Sequence, residues 1–124
     1  MSLENLTQEE LANEEKIEQV FQKIDQEKID QLTKELDEII AELTQVIEAH
    51  YDAIAQTKRY DNRFTCALRA GYTGPFQAEG VAFAQWMDTC NAYGYQVMAD
   101  CLAALRPVPT EAELIAELPP IVWP

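Results

Sequence analysis

Residues 29–57 read IDQLTKELDEIIAELTQVIEAHYDAIAQT, and this stretch decides the fold. Apolar side chains stand at Ile29, Leu32, Leu36, Ile39, Leu43, Val46 and Ala53, with His50 in the same series. Their spacing alternates three and four. A helix is needed to bring residues so spaced onto one face, and a seven-residue repeat of this kind is a seam along which helices wind together. A second stripe, Ile40, Ile47 and Ile54, runs beside the first. A two-stranded coil uses only one narrow seam. Two stripes on one helix therefore predict packing against more than one neighbour, drawn from the same chain and from other copies. The expected fold class is all-α: a long heptad-bearing helix with a C-terminal helical hairpin packed on it, assembled into an oligomeric helical bundle.

Towards the N-terminus, Thr7 and Glu10 have capping-box spacing and predict a helix start. That helix should run to about Asp25, with Leu11, Ile17, Val20, Phe21 and Ile24 as its apolar members. They are sparse and lie among Glu9, Glu10, Glu14, Glu15 and Glu18. Such a helix needs a partner surface, because propensity alone does not hold it in water. Between Ile24 and Ile29 the spacing breaks, and Asp25, Gln26, Glu27 and Lys28 fill the gap. No glycine or proline precedes Gly71. The stretch therefore reads as one continuous or gently bent helix, with an antiparallel hairpin at the break as the alternative.

Beyond Thr57 the chain carries its one basic cluster, Lys58, Arg59, Arg63 and Arg69. These residues could hold a phosphate or a partner's carboxylate; the simpler expectation is that they neutralise the acidic helix. Tyr60, Phe64, Ala67 and Leu68 recur at helical spacing, Gly71 is the expected C-terminal cap, and Tyr72–Pro75 reads as a turn. Pro75 suits the first position of a further helix, which should run to about Arg106. Its face is marked by Ala78, Ala82, Phe83, Trp86, Cys90, Tyr93, Val97, Cys101, Leu102 and Leu105. Gly80 and Gly94 each cost about 1 kcal/mol of helix propensity against alanine, so each should have a packing reason. Trp86, Tyr93 and Tyr95 read as core and interface aromatics. Thr110 and Glu113 predict a second capping box opening a short helix, Glu111 to Leu118, stopped by Pro119 and Pro120. The apolar tail of Ile121, Val122 and Trp123 is expected to dock on this subunit or a neighbour. The chain thus divides into an acidic heptad region, 1–57, and a second helical region, 58–124, within one domain.

The net charge is −13 in 124 residues, from 22 acids against 9 lysines and arginines. Fifteen of the acids and only four lysines precede Lys58. A bare nucleic-acid backbone or an anionic membrane is therefore not expected as a partner of that half. The acids serve chiefly to keep exposed helix faces in water. The three cysteines, Cys66, Cys90 and Cys101, are odd in number and widely spaced, so reduced thiols are expected. Neither a membrane span nor a signal peptide is expected. Chemistry is missing from the pattern as well. His50 is the one histidine, and there is no HExxH, no pair of metal-ligand cysteines, no glycine-rich phosphate loop and no nucleophile elbow. No enzyme activity, cofactor or metal is expected. Within the seam, His50 either fixes register or stands half-exposed at the seam's end.

From about Ala49 to Pro124 the order of residues carries a resemblance. Arg59-Tyr60-Asp61, Phe76-Gln77-Ala78-Glu79-Gly80, Trp86, Arg106-Pro107 and Pro109-Thr110 are its markers. In these the chain resembles the C-terminal region of small proteins encoded among the tail genes of tailed bacteriophages and prophages, often beside the tail-fibre gene. Many of those proteins carry a β-rich leader, where this chain has an acidic helix, and an arginine where it has Met87. The resemblance implies no catalytic residues. It implies a protein made in the host cytoplasm that ends in the virion tail, with a tail or tail-fibre protein as partner. A structural component of the virion is the leading reading. A tail-fibre assembly chaperone is the alternative, and an acidic inhibitor of a host nucleic-acid enzyme the second alternative. The seam of Ile29, Leu32, Leu36, Ile39, Leu43, Val46 and His50 is expected to join copies, as a trimer in preference. Trp86, Tyr93, Tyr95, Ile121, Val122 and Trp123 are expected to contact the partner.

Overall fold

The computed structural model describes residues 7–124. Thr7 opens the first helix as its spacing with Glu10 requires. The Glu10 amide donates to Thr7 Oγ1 and the Thr7 amide to Glu10 Oε2, both at 3.2 Å. Helix α1, Gln8–Thr57, then continues unbroken through Asp25–Lys28, so the hairpin alternative is set aside. Nothing in that polar step breaks a helix, and Gln26 Nε2 donates to Asp30 one turn on, at 2.8 Å. Among the described residues the remaining elements are α2, Arg63–Leu68, a 3-10 turn, Arg69–Gly71, and helices α3, Gln77–Leu102, and α4, Glu111–Glu117, with no strand.

Two compact units divide the chain, Met1–Ile39 and Ile40–Pro124. The division falls inside α1, not at residues 57 and 58 where the charge changes. The physical reason is packing: Tyr51 and Ala55 on the last turns of α1 are buried with α3 and the C-terminal residues, whereas Leu11, Ile17, Val20, Phe21, Ile24, Ile29 and Leu32 are all exposed.

In the second unit, α3 runs antiparallel to residues 40–57 of α1. Ile47 lies against Gly94, the Tyr51 hydroxyl donates to Asn91 Oδ1 at 2.7 Å, and the Tyr60 hydroxyl to Glu79 at 2.8 Å. The stripe holding Ile47 and Ile54 is therefore the intrachain face, with Tyr51 and Ala55 beside it. The core also takes Cys66 from α2, Phe83, Trp86 and Cys90 from α3, and Leu118 beyond α4. Asn62 opens α2 with a reciprocal cap: its Oδ1 accepts from the amides of Phe64 and Thr65, and Thr65 Oγ1 accepts from the Asn62 amide. Thr110 caps α4 through the Glu113 amide. Among the described residues no helix is long and apolar enough to cross a membrane.

The expected glycine cap is not where the helices turn. Gly71 lies within the 3-10 turn, and among the described residues no glycine has positive φ. The left-handed positions belong to Arg59, φ 69°, and Ala104, φ 57°. Each follows a helix end closed by two backbone bonds. Tyr60 N donates to Ala55 O and Arg59 N to Gln56 O; Leu105 N donates to Asp100 O and Ala104 N to Cys101 O. This is the Schellman pattern, in which glycine is usual because a Cβ there is strained. Replacing Ala104 with glycine is accordingly expected to stabilise the fold by about 1 kcal/mol, read as a higher urea midpoint at unchanged slope.

Candidate interaction surfaces

The expected seam divides by exposure. Ile29 is 55% and Leu32 54% exposed. Ile39 is exposed to a lesser degree, and Leu36, Leu43, Val46 and His50 are half-buried. His50 meets the edge of Trp86, ring centres 5.7 Å apart, and so lies at the seam's end, beside α3. Burial lowers its pKa below the ordinary 6.5. Between that lowered value and 6.5 the unfolded chain holds the proton and the folded chain does not. The contribution of His50 is complete above about pH 6.5 and is lost as pH falls through the folded value. The fall in urea midpoint between about pH 8 and pH 5 should be smaller in His50→Gln than in the unmodified protein.

The residues expected to meet a partner also separate. Tyr95, 70% exposed, and Val122, 82% exposed, are on the surface. Trp86 is only 6% exposed and belongs to the core, while Tyr93, Ile121 and Trp123 are half-buried against it. Trp86 Nε1 donates to the Pro119 carbonyl at 2.7 Å. The Trp123 ring stacks on Phe83 at 6.1 Å and 10°, with Lys58 Nζ 5.3 Å from its centre. A proline-stopped segment satisfies its carbonyl on the indole and lays alternate side chains inward. Ile121 and Trp123 consequently serve the fold, and Val122 faces out.

The basic cluster has four different settings. Arg63 does what was expected of the whole cluster: its Nη1 donates to Asp52 at 2.8 Å, and Nη2 lies 3.5 Å from Glu48. Lys58 covers Trp123, and Arg59 holds the helix end. Arg69 Nη1 donates to the Tyr72 hydroxyl, and its Nε is buried with no acceptor. The Tyr72 and Phe76 rings near its guanidinium are exposed, as are Phe64 and Leu68 on the preceding helix α2, where Phe64 lies against Arg63. This aromatic corner, where α2 leads into α3, was not singled out from sequence. Phe64 and Leu68, one turn apart beside Tyr72 and Phe76, were the available signal.

Burial pushes the Cys66 thiol up to about 11 and also raises Cys90, so both stay protonated and weakly reactive at neutral pH. Burial, followed by the Glu79 contact, raises Tyr60 to about 12. Among the described residues no group of three or more His, Cys, Asp or Glu side chains could hold a metal ion.

The motif Phe76-Gln77-Ala78-Glu79-Gly80 has a local explanation. Gln77 Nε2 donates to the Ala70 carbonyl, Glu79 accepts from Tyr60, and Gly80 lets α3 lie against the backbone of Arg69 and Ala70. Arg106 clamps the approach to α4 through both Glu117 oxygens, at 2.9 and 3.0 Å. The markers of the resemblance thus build the second unit. Comparison with protein-family models, with curated proteins and with solved structures finds no match to this chain.

Proposed function

We propose that the protein is a non-enzymatic assembly protein whose copies join through the α1 seam from Ile29 to Val46, with His50 at its end. The observation that carries this reading is the exposure of Ile29 and Leu32 on a face with heptad spacing. Leaving such a face in water costs roughly 25 cal/mol per Å², which association recovers. Mixed Ile and Leu at both seam positions favour a trimer over a dimer. On the resemblance of residues 49–124, the setting is the tail or tail fibres of a tailed phage, with the protein a structural component of the virion. The gene neighbourhood of the proteins it resembles favours a tail-fibre assembly chaperone as the second reading. Presence in purified particles supports the first, and presence only in lysates, bound to fibre protein, supports the second.

The seam itself is tested by charge. Leu36→Lys with Leu43→Lys is expected to convert the oligomer to monomer in light scattering, because buried lysines in a seam face one another. The packing of residues 40–124 should survive, since neither side chain belongs to that core. A monomeric mass for the unmodified protein would overturn the reading.

A further inference from the structure

Glu10, Glu14, Ile17, Phe21 and Ile24 follow one another at intervals of four, three, four and three. They share one face of α1, and its apolar members are exposed. This face does not continue the Ile29 seam. Ile29 follows Ile24 by five positions, a step of about 140° around a helix that turns about 100° per residue. Parallel copies joined through it would set Glu10 against Glu10 and Glu14 against Glu14, an arrangement of like charges that opposes pairing. The face suits a partner that offers a cation among apolar side chains.

The aromatic corner offers both. Arg69 lies 5.8 Å from the Tyr72 ring centre and 5.9 Å from that of Phe76. In a chain with 22 acids, Arg63 and Arg106 are each paired with carboxylates, whereas among the described residues none forms an ion pair with Arg69. The close approach at Gly80 and the Gln77 bond to Ala70 set the corner's geometry in advance.

We propose that the aromatic corner of one copy binds the Glu10–Ile24 face of a second copy. A glutamate reaches Arg69, and Ile17 and Phe21 cover Phe64, Leu68 and Phe76. The inference rests on the reading of the protein as a self-assembling one and extends it. The contact joins unlike surfaces, so a pair leaves one of each free, and further copies add into a ring or filament.

The test places a photo-crosslinking phenylalanine analogue at Phe21 of the full chain. Isotopically light and heavy preparations are mixed, irradiated and mapped by mass spectrometry. Light-to-heavy links from position 21 to residues 64–76 are expected. Arg69→Gln should reduce them about tenfold, as loss of a charge-assisted bond does. Leu68→Glu, at an exposed site, should do the same if the arginine variant does not fold. Links from position 21 confined to residues 8–28 of another copy, or to one copy, or absent from folded protein, would overturn the proposal. The two readings fail separately. If the links are absent while Leu36→Lys with Leu43→Lys still dissociates the protein, the seam stands and this contact does not. If those lysines leave the mass unchanged while the links form, the contact stands and the seam does not.

Discussion

Gly80→Ala is expected to destabilise residues 40–124 by about 3 kcal/mol, at the upper end of overpacking effects. The sign is the informative part. In a helix interior, glycine to alanine ordinarily stabilises by about 1 kcal/mol. A Cβ at Gly80 would stand 2.4 Å from the Ala70 nitrogen and 2.8 Å from the Arg69 carbonyl carbon. Those are backbone atoms of the 3-10 turn, and they cannot swing aside as a side chain can. Relief requires α3 to move away from Arg69–Gly71, which loosens the Tyr60–Glu79 and Gln77–Ala70 bonds together. Gly94→Ala is the control on the same helix. Its new methyl would meet only Ile47 Cδ1, at 3.3 Å, the free end of a flexible side chain. That substitution should be neutral to slightly stabilising. Urea unfolding followed by circular dichroism compares the two, and equal effects would refute the close-approach argument.

Trp86→Ala is expected to cost about 3–5 kcal/mol, the range for removing a large buried aromatic. Its ring is the meeting point of α1, α3 and the C-terminal segment. Tyr51 lies edge-on at 5.2 Å and Phe83 at 5.6 Å, and the indole holds the Pro119 carbonyl. Loss of the indole leaves a cavity and frees the segment that carries Trp123. Deleting Pro120–Pro124 should act in the same direction with a smaller effect, because Ile121 and Trp123 are only half-buried. Both variants should lower the urea midpoint without changing the exposed stripe of Ile17, Val20, Phe21 and Ile24. A tail deletion that left stability untouched would return Ile121 and Trp123 to the role of partner contacts. The surface residues Tyr95 and Val122 supply the contrast, since alanine there should shift stability by less than about 0.5 kcal/mol.

These expectations separate what is local from what is not. The sequence by itself determined that the chain is helical and where α1 begins. Heptad spacing, the Thr7–Glu10 box and the absence of glycine and proline before Gly71 all act over a few residues. The Asn62–Thr65 cap is equally local. It also showed that α1 carries two stripes, and that Gly80 and Gly94 needed reasons.

Only the tertiary structure decided which stripe packs within the chain. Either could have done so by hydropathy, and the choice fell to Ile47 and Ile54 because Gly94, Trp86 and Asn91 of α3 fit the surface around Tyr51. Gly80 faces the backbone of Arg69 and Ala70, whereas Gly94 faces only a side-chain end of Ile47, although both have the same propensity. Trp86 and Trp123 were drawn inside by a carbonyl at Pro119 and a ring at Phe83. The helix ends took Arg59 and Ala104 in left-handed conformations because the following chain had to turn there. For the stripe, the glycines and the tryptophans the deciding contact joins residues distant in sequence, which no local period encodes.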